Sequence, residues 1–154
     1  PMDVFNVLQK EHDEIRQLFD SLLKQDNVDQ QQLQLLCYKL LVDMDAKERF
    51  LYPQLEKTGD AGMYKMEHDA ARAIIDSLQK PNMGDLEIKT KLQAMKIPGD
   101  IYANMLENTT FKKAREVLSE QQLQEIGQQV ETYIESRMQT FQLSTNATAT
   151  AAAY

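Results

Sequence analysis

The fold is decided by residues 43–55, which read Asp-Met-Asp-Ala-Lys-Glu-Arg-Phe-Leu-Tyr-Pro-Gln-Leu. Apolar residues at helical three-to-four spacing run through this stretch and predict a helix packed in a core; they are Leu33, Leu36, Leu40, Met44, Leu51 and Leu55. Asp43 and Lys47 lie on the same side of that helix, where a bundle should carry leucine. Because burying an unpaired charge is costly, either the helix lines a polar cavity or the two charges pair at i, i+4. The alternative is a rotated helix from which both charges reach solvent.

Composition indicates one soluble globular domain, with 154 residues, 42% hydrophobic and 27% charged. Five glycines and four prolines are few, and they predict long uninterrupted helices. A net charge of −7 argues against nucleic-acid and anionic-membrane partners. No signal peptide or membrane-spanning apolar run is recognised, and the single cysteine, Cys37, fits a reducing compartment, so we expect a cytoplasmic protein.

Hydrophobic periodicity predicts helices at about residues 3–24, 30–57, 61–79, 85–109 and 119–141. Pro53 predicts a kink or an early end of the second helix near Tyr52. The sequence Ile-Pro-Gly-Asp at residues 97–100 predicts a break in the fourth helix and a restart beyond it. Asp3 and Asp29 are expected helix caps, and Ser119 fits a capping box with the glutamine three residues later.

These elements predict an all-α fold, an up-down-up-down four-helix bundle with an appended C-terminal helix. The bundle is expected to span residues 1–143, and residues 144–154, rich in Ser, Thr, Asn and Ala, are expected to form a disordered low-complexity tail. His12 and His68 are each the polar member of an otherwise apolar helix face, so both are candidates for a site in the bundle core. The favoured alternative is that both are buried core histidines, hydrogen-bonded to Asp43 or Tyr102, because too few further metal ligands are present.

Three segments carry a resemblance to a known family. They read Leu-Gln-Lys-Glu-His-Asp-Glu-Ile from Leu8, Met-Glu-His-Asp-Ala-Ala-Arg from Met66, and Lys-Ala-Arg-Glu-Val-Leu-Ser-Glu-Gln-Gln-Leu from Lys113. Their order and spacing, over roughly residues 3–141, are similar to those of the hemerythrin-like, HHE cation-binding family. The resemblance implies a bundle whose core holds two iron ions, with a His-x-x-x-Glu pair from each of helices two and four.

The same resemblance implies that most of the metal ligands are substituted. Aligning Leu-Tyr-Pro at residues 51–53 with the family puts Asp43 at a His position and Lys47 at a Glu position. In helix four, Tyr102 falls at the His position and Leu106 at the Glu position. A lysine ammonium and a leucine side chain have no lone pair to offer a metal. We therefore expect a degenerate site without a cofactor, or with iron only if the metal site is retained.

Three functional hypotheses follow, and none includes a catalytic residue. The first is a non-catalytic binding or regulatory module. The second is a metalloprotein that holds a single iron-type metal through His12, His68 and Asp43. The third is a small-molecule or chromophore binder that uses the former metal cavity around Asp43, Lys47, Tyr102 and Leu106. A protein partner or a small ligand fits these hypotheses, whereas oligomeric state and the origin of the ligand loss, natural or engineered, stay open.

Three further carboxylates, Glu48, Glu67 and Asp69, lie near the histidine positions in the sequence. Any of them could join a rebuilt mononuclear site. Because Asp and Glu are rarely buried without a partner, we expect all three to be solvated on helix surfaces.

Overall fold

The chain forms an all-helical bundle in the structure, a computed structural model that describes residues 2–56 and 64–153 and the side chains as far as residue 147. In chain order the helices are α1 (Val4–Lys24), α2 (Gln30–Ala46), α3 (Tyr52–Leu55), α4 (Tyr64–Ser77), α5 (Asp85–Met105), α6 (Phe111–Val117) and α7 (Glu120–Ala153). A first π-helical segment, Lys47–Leu51, joins α2 to α3, and a second, Leu106–Thr110, joins α5 to α6. The predicted all-α bundle with an added C-terminal helix is confirmed.

The predicted helix caps are formed as the sequence indicates. Asp3 accepts a hydrogen bond from the backbone N–H of Asn6 at 2.9 Å, and the Asp29 side chain caps α2 in the same way. At the start of α7, the Ser119 hydroxyl accepts from the backbone N–H of Gln122 at 3.1 Å. The Gln122 side chain in turn accepts from the backbone N–H of Ser119 at 2.8 Å, which completes the capping box.

The break predicted at Pro98 is wrong, because α5 continues through it from Asp85 to Met105. Proline removes one backbone donor and so leaves the carbonyl of Ala94, four residues earlier, without its helical partner. Both Pro98 and Ala94 lie on the exposed side of α5, where water can satisfy that carbonyl. The helix therefore tolerates the proline, and packing of the opposite face holds both halves together.

The irregularity predicted near Tyr52 lies earlier in the chain than expected. Regular α2 ends at Ala46, the first π-helical segment follows, and Pro53 lies in the first turn of α3. Proline is well tolerated there because the first-turn N–H groups have no partner within the helix. The predicted end of the second helix at residue 57 and the start of the third at residue 61 lie outside the described residues.

Buried apolar side chains form two clusters. The first cluster contains Val4, Phe5, Val7, Leu8, Val42, Ala46, Leu51, Tyr52, Leu55, Leu106, Phe111, Ala114, Leu123, Ile126, Val130 and Ile134. The second cluster contains Ile15, Phe19, Leu22, Val28, Leu33, Leu36, Cys37, Met44, Ile75, Leu78, Ile88, Leu92 and Met95. On α1 the change from one cluster to the other falls between Leu8 and Ile15, and His12 lies in that interval.

The segment from residue 144 continues α7 as far as Ala153, whereas its composition predicts a disordered tail. Alanine has the highest intrinsic helix propensity, which favours such a continuation. The domain boundary at residue 143 stays a prediction. None of the helices within the described ranges combines the length and the apolar character that crossing a bilayer requires.

Candidate functional site

A layer of buried polar side chains lies where the two apolar clusters meet. Asp43, Lys47 and His68 retain only 4%, 5% and 1% of their accessible surface. Asp43 comes from α2, Lys47 opens the first π-helical segment, and His68 comes from α4. His12 reaches the same layer from α1. Three helices and a π-helical segment therefore bring charged and imidazole groups together inside the bundle.

Lys47 is the centre of this layer. Its Nζ lies 2.7 Å from Asp43 Oδ2 and 3.0 Å from His12 Nε2. An ammonium can only donate, so His12 accepts through Nε2 and carries its own proton on Nδ1. His12 Nε2 and Asp43 Oδ2 are 3.8 Å apart, with the ammonium bonded to both. The two charges thus pair inside the bundle, and the alternative of a rotated helix with both charges in solvent is wrong.

Asp43 is held as a carboxylate. Burial by itself would raise its pKa, but the adjacent Lys47 ammonium holds the pKa below the ordinary aspartate value. All of this pairing involves Oδ2. The second oxygen, Oδ1, is buried and accepts no hydrogen bond from any group that the structure describes. One lone-pair face of a fully buried carboxylate is therefore free of protein donors.

His68 belongs to a second set of contacts on the other side of the layer. Its Nδ1 lies 2.9 Å from Glu48 Oε1, and its Nε2 lies 3.8 Å from Glu67 Oε2. Arg72 binds the same Glu48 through two hydrogen bonds of 2.8 and 2.7 Å. Burial lowers the pKa of His68. Arg72 is the main cause of the lowered pKa of Glu48. The neutral ring therefore donates from Nδ1 and keeps its lone pair on Nε2.

A cavity of about 100 Å³ lies against this layer. The six residues predicted for the metal site or for the former metal cavity all line it: His12, Asp43, Lys47, His68, Tyr102 and Leu106. Burial raises the pKa of Tyr102 to about 12, so its hydroxyl is neutral and available as a donor. The histidines find different partners from those expected, Lys47 for His12 and Glu48 for His68.

Sequence reasoning missed part of the layer. Glu48 and Glu67 were expected in solvent, yet their side chains are only 26% and 24% exposed, and both contact His68. Asp69 is 71% exposed, as expected for a surface carboxylate. The available signal was the four-residue spacing from His68 to Arg72, which puts a cation on the same helix face as the histidine.

The two π-helical segments begin at equivalent points of the bundle. The first begins at Lys47 and the second at Leu106, and both residues line the cavity. π-helical turns are rare in proteins, and those that occur often lie at functional sites. The backbone thus departs from regular α-helix at the two positions that the family alignment pairs as glutamate ligands.

Metal binding through His12, His68 and Asp43 stays a prediction. Within residues 2–56 and 64–153, no group of three or more His, Cys, Asp or Glu side chains is arranged to hold a metal ion. The Nε2 lone pair of His12 and one oxygen of Asp43 are occupied by the Lys47 ammonium.

Comparison with known proteins gives one informative match. The family model described as the hemerythrin HHE cation-binding domain matches residues 3–118, which is more than half of the chain. Neither curated proteins nor solved structures gave a significant match. The matched residues include every side chain of the buried polar layer.

Proposed function

This chain belongs to the hemerythrin HHE cation-binding domain family, and from that premise we propose that it is a non-catalytic binding or regulatory module. In it, an internal ion pair takes the place of the metal. The observation that carries the proposal is the position of Lys47 Nζ, 2.7 Å from Asp43 Oδ2 and 3.0 Å from His12 Nε2. Here the ammonium supplies the positive charge and occupies the lone pairs that a metal ion would otherwise use.

The donors present do not fit the iron pair that the family implies. Such a centre needs several carboxylate and imidazole ligands that converge on the metals. Lys47 and Leu106 stand at two of the aligned ligand positions and donate nothing to a metal. A fixed ammonium in the layer also repels any incoming cation at short range. No catalytic step is therefore assigned to a metal in this proposal.

Elemental analysis after incubation with iron(II) under nitrogen and removal of unbound metal tests the proposal. We expect metal far below one ion per chain and no new absorption band on exposure to air. About one or two ions per chain would overturn the proposal.

A second candidate, a single metal held by His12, His68 and Asp43, has one observation in its favour. His68 directs Nδ1 at a carboxylate, Glu48, at 2.9 Å, and metal-binding histidines commonly donate their other ring N–H to such a group. This candidate predicts stoichiometric metal that is lost in His68→Ala. Asp69→Ala is the matched control, because Asp69 is the next residue on the same helix and is 71% exposed.

The proposal extends to location and partners. The single cysteine, Cys37, fits a reducing compartment and supports a cytoplasmic location. The net charge of −7 repels polyanions and anionic lipid, which supports a module without nucleic-acid or membrane partners. A protein partner or a small ligand remains compatible with a binding or regulatory role.

A further inference from the structure

We propose that the cavity beside the buried ion pair binds a small neutral molecule that carries one hydroxyl or N–H donor on an apolar body. The donor would bond to Asp43 Oδ1, and the apolar body would pack against the cavity wall. This inference rests on the proposed function, since it needs the cavity without a metal ion. It adds the chemical class of the ligand.

The anchor is the unpartnered oxygen of Asp43. The residue is 4% exposed and lines the cavity, and its Oδ1 receives no hydrogen bond from the part of the chain that the structure describes. A buried acceptor without a donor carries a desolvation penalty, so a ligand that supplies the donor regains that free energy. Lys47 binds the other oxygen at 2.7 Å, so the carboxylate is already oriented before a ligand arrives.

The wall of the cavity sets the size and polarity of the ligand. Much of it is apolar, with Ile15, Phe19, Leu40, Met44, Met95 and Leu106 among the lining residues. A dry cavity of about 150 Å³ is known to bind benzene. This cavity is smaller, about 100 Å³, so a ligand of about six or seven non-hydrogen atoms fits only if the flexible methionine side chains of the wall move outward. Asp43 is balanced by Lys47, so a neutral molecule enters without adding an unpaired charge to the interior.

We place the entrance of the cavity at the exposed charged residues that line it. Arg16 on α1 and Asp100 on α5 both line the cavity, and their side chains are 41% and 39% exposed. Arg16 Nε lies 3.6 Å from Asp100 Oδ1, and Lys96 Nζ lies 3.0 Å from Asp100 Oδ2. Exposed ion pairs of this kind contribute little free energy, so they can separate readily to admit a small molecule.

Titration with phenol and with fluorobenzene tests the proposal on the full chain. The two probes are nearly the same size, but only phenol can donate a hydrogen bond. The readout is the methyl resonance of each methionine: Met44 and Met95 line the cavity, whereas Met66 is 80% exposed and does not line it. We expect phenol to shift Met44 and Met95 but not Met66, and to bind about ten-fold or more tightly than fluorobenzene.

Two alanine-to-leucine substitutions show where the probe binds. Ala71 lines the cavity, so Ala71→Leu should fill it and abolish the phenol shifts. Ala70→Leu, at the preceding and exposed residue of α4, should leave the phenol shifts unchanged. Equal binding of both probes would contradict the role of Asp43 as the anchor. Binding of neither probe would contradict the proposed ligand site and would mean that the cavity holds only water. Metal content is measured on the same sample. Stoichiometric metal would show that the proposed function fails, whereas absence of phenol binding without metal would show that only the ligand site fails.

Discussion

At the residue scale, Lys47 is the cation that stabilises the buried Asp43 carboxylate inside the bundle. Replacing it by Met leaves Asp43 charged, buried and unpaired, a change that typically costs about 3–5 kcal/mol. We expect Lys47→Met to lower the free energy of unfolding by that order, measured by urea denaturation. Asp43→Leu combined with Lys47→Met removes both charges and should recover most of the loss.

Lys96→Met is the matched control for this experiment. Lys96 also pairs with an aspartate four residues away, at 3.0 Å, but in a partly exposed position. Its loss should cost less than about 1 kcal/mol. If Lys47→Met is as stable as the parent or more so, the buried positive charge is not required and the ion pair does not replace a metal.

Glu48 gives the fold a pH dependence. Arg72 is the main cause of its lowered pKa, burial opposes the shift, and His68 adds to it. Because the pKa in the folded state lies below the ordinary value of 4.5, Glu48 stabilises the fold above that pH and the stabilisation is lost as pH falls further.

Glu48→Gln should be less stable than the parent near pH 7, and the difference should shrink as the pH falls from about 5 to about 3. Urea unfolding across that range measures it, and Glu116→Gln on the exposed surface is the control. A difference that stays constant with pH would mean that the Arg72 contact does not act through the charge of Glu48.

At the element scale, Gly127 sets the approach of α7 to the start of α1. A Cβ placed on it would lie 2.7 Å from the backbone oxygen of Met2 and 2.8 Å from a backbone carbon of Asp3. Gly127→Ala should therefore destabilise the protein by about 1–3 kcal/mol, since main chain must move. Gly99 in α5 has open space around its Cβ position, so Gly99→Ala should instead stabilise by about 0.5–1 kcal/mol. Thermal unfolding of both variants checks the opposite signs.

Helices that are marked by a repeated apolar spacing could be predicted from the sequence. Irregularities within the helices, which depend on the local backbone conformation, could not. The capping residues Asp3, Asp29 and Ser119 act where their types indicate. Pro98 misled the prediction because its cost depends on whether the carbonyl that it frees faces solvent, which only the packed fold determines. The two π-helical segments were not predicted, because the apolar spacing of the sequence does not distinguish an i→i+5 turn from a regular α-helical turn.

At the scale of the whole molecule, the fold was predictable and the site was predictable in part. The apolar stripes determine which faces meet, so they also bring His12, Asp43, Lys47 and His68 to one layer. The spacing offered the Asp43–Lys47 pair as one alternative. The pairing between elements was not accessible, because Lys47 binds His12 of another helix and Glu48 binds His68 of another helix. Such contacts depend on distances of a few ångströms between elements, and spacing along the chain does not contain them.

The division of the core into two apolar clusters has a consequence for how the molecule comes apart. The buried residues of α7 that the structure describes all belong to the first cluster, and Ile75, Leu78, Ile88, Leu92 and Met95 all belong to the second. Because a polar layer lies between the clusters, α7 can detach while the second cluster remains closed, as cooperative units of different local stability do in other proteins. Loss of α7 from the first cluster would then expose the buried charges to water while the second cluster stays closed.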